Sequence, residues 1–130
     1  MKPFFSLSLL CAAALAAGCA SSTAKGVGGR ELTLVRPASQ TLRRGETNRV
    51  AITVLRENIP SNVTVRFERL PKGVSVVEAD RKLKPGELHV NYTLFAANDA
   101  DLVSNYQARV TAEASDGLSA SETLTLTVKQ

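Results

Sequence analysis

With 130 residues, 44% of them hydrophobic and 22% charged, and a net charge of +4, the chain has the size and balance of one folded domain. Two cysteines, one histidine and no tryptophan exclude a framework of several disulfides and leave a multi-ligand His/Cys zinc centre without material. Two tyrosines and four phenylalanines are too few for a stacking surface, so nucleic acid is not an expected partner.

Met1 to Cys19 reads as an export signal. Lys2 gives a positive start, and Pro3 to Ala17 is apolar except for Ser6 and Ser8. These 15 residues fall short of the ~20 that a helix needs to cross a bilayer, and small residues follow instead of a stop-transfer pattern. Leu15, Ala16, Ala17, Gly18 and Cys19 resemble the lipobox of bacterial lipoproteins, with the leucine one place further upstream than in the commonest form. The resemblance implies cleavage between Gly18 and Cys19, diacylglycerol on the Cys19 thiol and acylation of the new amino terminus. Cys11 would leave with the signal, so Cys19 would be the one remaining cysteine and no internal disulfide could form. Each buried methylene contributes about 0.8 kcal/mol, so two or more acyl chains would hold the protein firmly on a bilayer. Ala20 and Ser21 lack the aspartate that retains many such lipoproteins at the inner membrane. The resemblance therefore implies the periplasmic leaflet of the outer membrane.

Residues 20–30 are rich in Ser, Thr and Gly, with Val27 as the only larger aliphatic side chain. They predict a flexible linker with a reach of about 15–20 Å. The expected organisation is a signal at 1–18, a lipidated start and linker at 19–30, and a β domain at 31–130.

That domain alternates almost throughout. Leu32 and Leu34 share one face of a short strand ended by Pro37, and residues 40–44 form an edge piece closed at Gly45. Val50, Ile52 and Val54, then Val63, Val65 and Phe67, mark two strands with one buried and one wet face. Leu70-Pro-Lys-Gly-Val74 interrupts the pattern, with Gly73 supplying the freedom for a reversal, and Val74 and Val76 begin another short strand. Pro85-Gly86 turns the chain into a strand with Leu88, Val90, Tyr92 and Leu94 inward and His89 outward. Tyr106, Ala108, Val110, Ala112 and Ala114 line the next strand, Asp116-Gly117 makes a hairpin, and Leu124, Leu126 and Val128 face inward in the last. Even β spacing over 100 residues predicts an all-β, two-layer antiparallel sandwich of about seven strands. Tyr106 stands where either a tyrosine corner or a plain core-edge tyrosine would occur.

Arg44-Gly45 ahead of Val50-Ala-Ile-Thr-Val54, Arg56 after it, Val63-Thr-Val-Arg-Phe67, Leu70-Pro-Lys-Gly-Val74 and Tyr106-Gln-Ala-Arg-Val110 together resemble bacterial immunoglobulin-like repeats of secreted and cell-envelope proteins. The resemblance spans nearly all of residues 31–130. It implies an immunoglobulin-like or fibronectin-like sandwich, in a group that includes spacers, adhesion modules and accessory domains, and it carries no shared catalytic mechanism. A single module has no second domain to hold apart, which argues against a spacer.

Chemistry is sparse. His89 has no nucleophile elbow or triad pattern near it, and Asn98-Asp99-Ala100-Asp101 offers three side-chain oxygen donors where calcium needs six to eight. No catalytic residue, metal ligand or cofactor is expected. An enzymatic reading would need a fold that brings His89 or the Asp99/Asp101 loop to a nucleophile. Residues 19–84 carry thirteen basic and six acidic side chains, and residues 85–130 carry two and six. Arg43, Arg44, Lys72, Arg81, Lys82 and Lys84 are therefore candidate contacts if they share a surface. The expected function is a lipid-anchored interaction or envelope-structural module that contacts the bilayer through acylated Cys19, and an envelope protein through a sheet edge or loops. The alternative is a module that binds an anionic glycan or lipid.

Overall fold

Val50, Ile52 and Val54 are completely buried, while Ala51 and Leu55 between and beside them are exposed. The alternation in Thr47–Glu57 thus becomes one inner and one outer face, and the same conversion repeats along the chain. The computed structural model describes residues 20–130, and the lipobox, Leu15 to Cys19, lies outside the described residues. The strands are β1 (Ser21–Lys25), β2 (Glu31–Val35), β3 (Gln40–Arg43), β4 (Thr47–Glu57), β5 (Val63–Glu68), β6 (Val74–Val76), β7 (Lys82–Leu83), β8 (His89–Ala96), β9 (Val103–Ala114) and β10 (Ser119–Lys129). They form two curled five-stranded sheets, ordered β1-β2-β4-β8-β6 and β3-β10-β9-β5-β7. The fold is all-β, mostly antiparallel, with one apolar core between the sheets.

Leu32, Leu34, Val50, Ile52, Val54, Val63, Tyr92, Leu94, Leu124 and Leu126 are fully buried in that core. Ala96, Ala108, Ala112 and Ala114 are buried in it as well. The Tyr92 ring meets Phe67 edge to face, with centroids 5.1 Å apart, and its hydroxyl donates to the Arg81 carbonyl at 2.7 Å.

Four expectations change. Residues 20–30 are not a free linker: Ser21–Lys25 pairs antiparallel with Glu31–Val35 across five registers, so the fold reaches back past Glu31. Only Ala24 of β1 packs against the core. The strand is held by main-chain pairing, which hydrophobic periodicity does not report. Further ties come from an Arg30–Asp116 ion pair and from Asn58 Nδ2 donating to the Gly29 carbonyl at 2.9 Å.

Second, β3 runs parallel to β10, because the chain crosses between sheets after Pro37 without reversing direction. Third, the described residues hold ten strands where about seven were expected; beyond the edge piece that became β3, β1 and the two-residue β7 are the unexpected additions. Fourth, Leu88 is 46% exposed; it precedes β8, and although its carbonyl accepts from Val54 N–H, its side chain lies outside the core. Tyr106 is half-buried against the core, and the tyrosine whose hydroxyl binds backbone is Tyr92.

Candidate functional site

The six basic candidates do not share a surface. Arg43 and Arg44 close β3 at one end of the sandwich. There Arg44 Nε donates to the Ala100 carbonyl at 2.8 Å and Arg44 Nη1 to Gln130 Oε1 at 2.9 Å, while Arg43 Nη1 reaches the Gln130 carbonyl at 3.2 Å. Lys72 belongs to the same end, its carbonyl accepting from Asp101 N–H at 3.0 Å. Lys84 lies at the opposite end, where Arg56 donates to its carbonyl. The eleven residues of β4 separate these ends by about 30 Å. Arg81, Lys82 and Lys84 follow β6 along the other lateral side, and Arg81 Nη1 donates to the Asn91 carbonyl at 2.8 Å. Arg44 is thus a brace between loops, and the sequence dipole does not become one positive face.

His89 and the Asp99/Asp101 loop also stay apart. His89 is exposed, with Nδ1 3.0 Å from Thr53 Oγ1. The loop sits near Thr47, six residues along β4 from Thr53, or about 20 Å. Among the described residues, no group of three His, Cys, Asp or Glu side chains could hold a metal.

Glu122 is the polar residue that sequence reading missed. It occupies the inward phase of β10, between Ala120 and Leu124, and its side chain is only 6% exposed. Arg36 Nε donates to its Oε1 at 2.9 Å and Ser22 Oγ to its Oε2 at 2.8 Å. Ser22 lies on β1 and Glu122 on the other sheet, so the carboxylate clasps the N-terminal strand across the sandwich. The missed signal was a lone acid in an inward phase, which demands partners because an unpaired buried charge is costly.

Burial pushes the Glu122 carboxyl up, but the Arg36 and Ser22 hydrogen bonds and the Arg36 charge outweigh it and hold the group below its ordinary value. A lowered folded pKa gives stability that is present above the unfolded value, ~4.3, and is lost as pH falls through the folded value. Glu122→Gln is therefore expected to cost about 1 kcal/mol at pH 7, since half of Arg36 is solvated. That cost should shrink toward zero at pH 3. Urea unfolding of both proteins at the two pH values checks it, and an undiminished difference in acid would remove the charge as its source.

An apolar concavity lies on the lateral side away from β1. It is a seam of about 620 Å³ between β5 and β6, with Val65, Phe67, Leu70, Val74 and Val76 toward its interior. Beyond Ala79 and Asp80 it adjoins a depression lined by Asn62, Glu78, Arg81, Lys82 and Lys84. The Glu78 carboxylate accepts from Thr93 N–H at 2.6 Å and Thr93 Oγ1 at 2.7 Å, and these bonds hold it below the usual carboxylate range. They tie the segment after β6 to β8. No protein-family model, curated protein or solved structure matches this chain.

Proposed function

We propose that the protein is a lipid-anchored, non-enzymatic interaction module of the bacterial cell envelope, built on an immunoglobulin-like sandwich and held close against its membrane. The observation that carries this reading is the position of β1. Its first residue, Ser21, is two residues after Cys19, and Arg36 N–H donates to the Ala20 carbonyl at 2.9 Å. An acylated Cys19 would therefore stand at most about 7 Å of chain from a bonded strand, in place of the longer reach of a free linker. The domain would rest with its β1 edge toward the headgroups. Its switch of the leading segment between sheets, β2 in one and β3 in the other, supports the immunoglobulin-like reading. The periplasmic leaflet of the outer membrane is the proposed location, on the Ala20-Ser21 signal.

Division of the basic side chains between distant positions favours recognition of a protein over an anionic glycan or lipid. In cell fractionation, the native chain is expected with the membranes, carrying the mass of its acyl chains. Cys19→Ser should move to the soluble fraction with an unchanged β-sheet circular dichroism spectrum. Retention of the serine variant on membranes to the native extent would overturn the anchor.

A further inference from the structure

The seam between β5 and β6 has the features of a strand-binding site. β6 is the edge of its sheet, and among the described residues it pairs only with β8. Ala97 N–H donates to the Gly73 carbonyl at 2.9 Å and Val77 N–H to the Thr93 carbonyl at 2.9 Å. Residues 73, 75 and 77 thus direct their main-chain groups toward β8, and Val74 and Val76 direct theirs off the edge. Pro71 takes the Val74 N–H at 3.0 Å, which leaves the Val74 carbonyl and both groups of Val76 as an open edge. Across the seam, β7 pairs only with Val63 and Thr64, so among the described residues Val65–Glu68 has a strand partner in β9 alone. Two unpaired backbone edges therefore flank an apolar interior.

Backbone edges with alternating apolar side chains match an extended polypeptide, which can satisfy main-chain groups and bury every second side chain at once. The charge at one end specifies more. Glu78 is engaged by Thr93 and Arg81 by the Asn91 carbonyl, whereas Lys82 and Lys84 are exposed and form no ion pair among the described residues. Two lysines there face one unengaged carboxylate, Asp80. We infer that the seam docks an extended segment of a partner protein, apolar at alternate positions and acidic where it passes Lys82 and Lys84. This deepens the interaction-module reading and rests on it, though not on the lipid anchor. The seam lies opposite β1 in the sheet order, so a domain tethered by its β1 edge would present it away from the bilayer.

The test uses the full chain, isotope-labelled in mild detergent. The probe is a ten-residue peptide alternating valine and threonine with two glutamates at one end; its counterpart carries two lysines there. Amide shifts centred on Val65–Glu68 and Val74–Val76, new exchange protection at the Val76 amide, and at least tenfold tighter binding of the glutamate peptide are expected. The preference should vanish in Lys82→Glu/Lys84→Glu. Absent shifts, shifts at the β1 or β3 edge, equal affinity for both peptides, or concentration-dependent shifts without peptide would each overturn the inference.

A photoreactive residue in cells, at Ser75 in the seam or at Thr125 on the outer face of β10, separates the two levels of the reading. An adduct at Ser75 to an acid-ended, alternating apolar segment, sequenced by mass spectrometry, supports the seam. Protein adducts at Thr125 alone overturn the seam and leave the interaction module standing. Adducts to protein at neither position overturn both.

Discussion

Gly73→Ala is expected to lower stability by about 3 kcal/mol, a large loss for one added carbon. Gly73 has φ +89°, where an L side chain costs about 1–2 kcal/mol. Its added Cβ would also stand 2.5 Å from Ala100 Cα and 2.7 Å from Ala100 Cβ, against buried backbone that cannot swing aside. Overpacking of that kind adds about 1–3 kcal/mol. The loops at this end are stitched together, since Ala97 N–H binds the Gly73 carbonyl and Asp101 N–H the Lys72 carbonyl. Displacing one loop displaces the other. Gly86→Ala is the matched control: φ is +90°, but nothing lies within 4 Å of the new atom. It should cost only about 1 kcal/mol. Chemical denaturation of the two variants checks the difference, and equal losses would show that close approach to Ala100 contributes nothing.

Tyr92→Ala should be the most damaging core substitution, at about 3–5 kcal/mol, because it removes the largest fully buried side chain and leaves the Phe67 edge contact without its partner. Tyr92→Phe separates the ring from the hydroxyl. It should cost about 1 kcal/mol through the unpaired Arg81 carbonyl. Burial pushes the Tyr92 hydroxyl up to about 12. With the folded value above the unfolded one, ~10, its contribution is complete below pH 10 and is lost as pH rises through about 12. Denaturation across pH 9 to 12 should therefore be steeper for the native protein than for Tyr92→Phe. Parallel curves would exclude Tyr92 as the alkaline-sensitive group.

Both substitutions bear on the seam. Tyr92 supports Phe67, which lines it, and Gly73 opens β6, whose edge forms one wall. The rigidity of this region comes from packing and turn chemistry. The open edges come from short strands: β6 has three residues and β7 two. Such brevity limits uncontrolled edge-to-edge association while leaving a few main-chain groups to be paired.

Which side chains face inward along the central strands follows from residue order alone, because period two ties burial directly to residue type. Val50, Ile52, Val54, Val63, Val65, Leu124, Leu126 and Val128 all follow from it. It also located the reversals at Gly73, Gly86 and Gly117, where φ is positive, and the all-β class. Pairing is a different matter, since main-chain hydrogen bonds carry no residue signature. That is why Ser21–Lys25, with almost nothing to bury, read as a linker and became a strand, and why the parallel match of β3 to β10 was not legible. Clusters assembled from distant segments are equally invisible: Ser22, Arg36 and Glu122 meet across 100 residues of chain, while the basic side chains grouped by the sequence are separated in space. Long-range strand pairing, and nothing local in the chain, bonds the segment after Cys19 into one edge of the fold and leaves an open seam at the other.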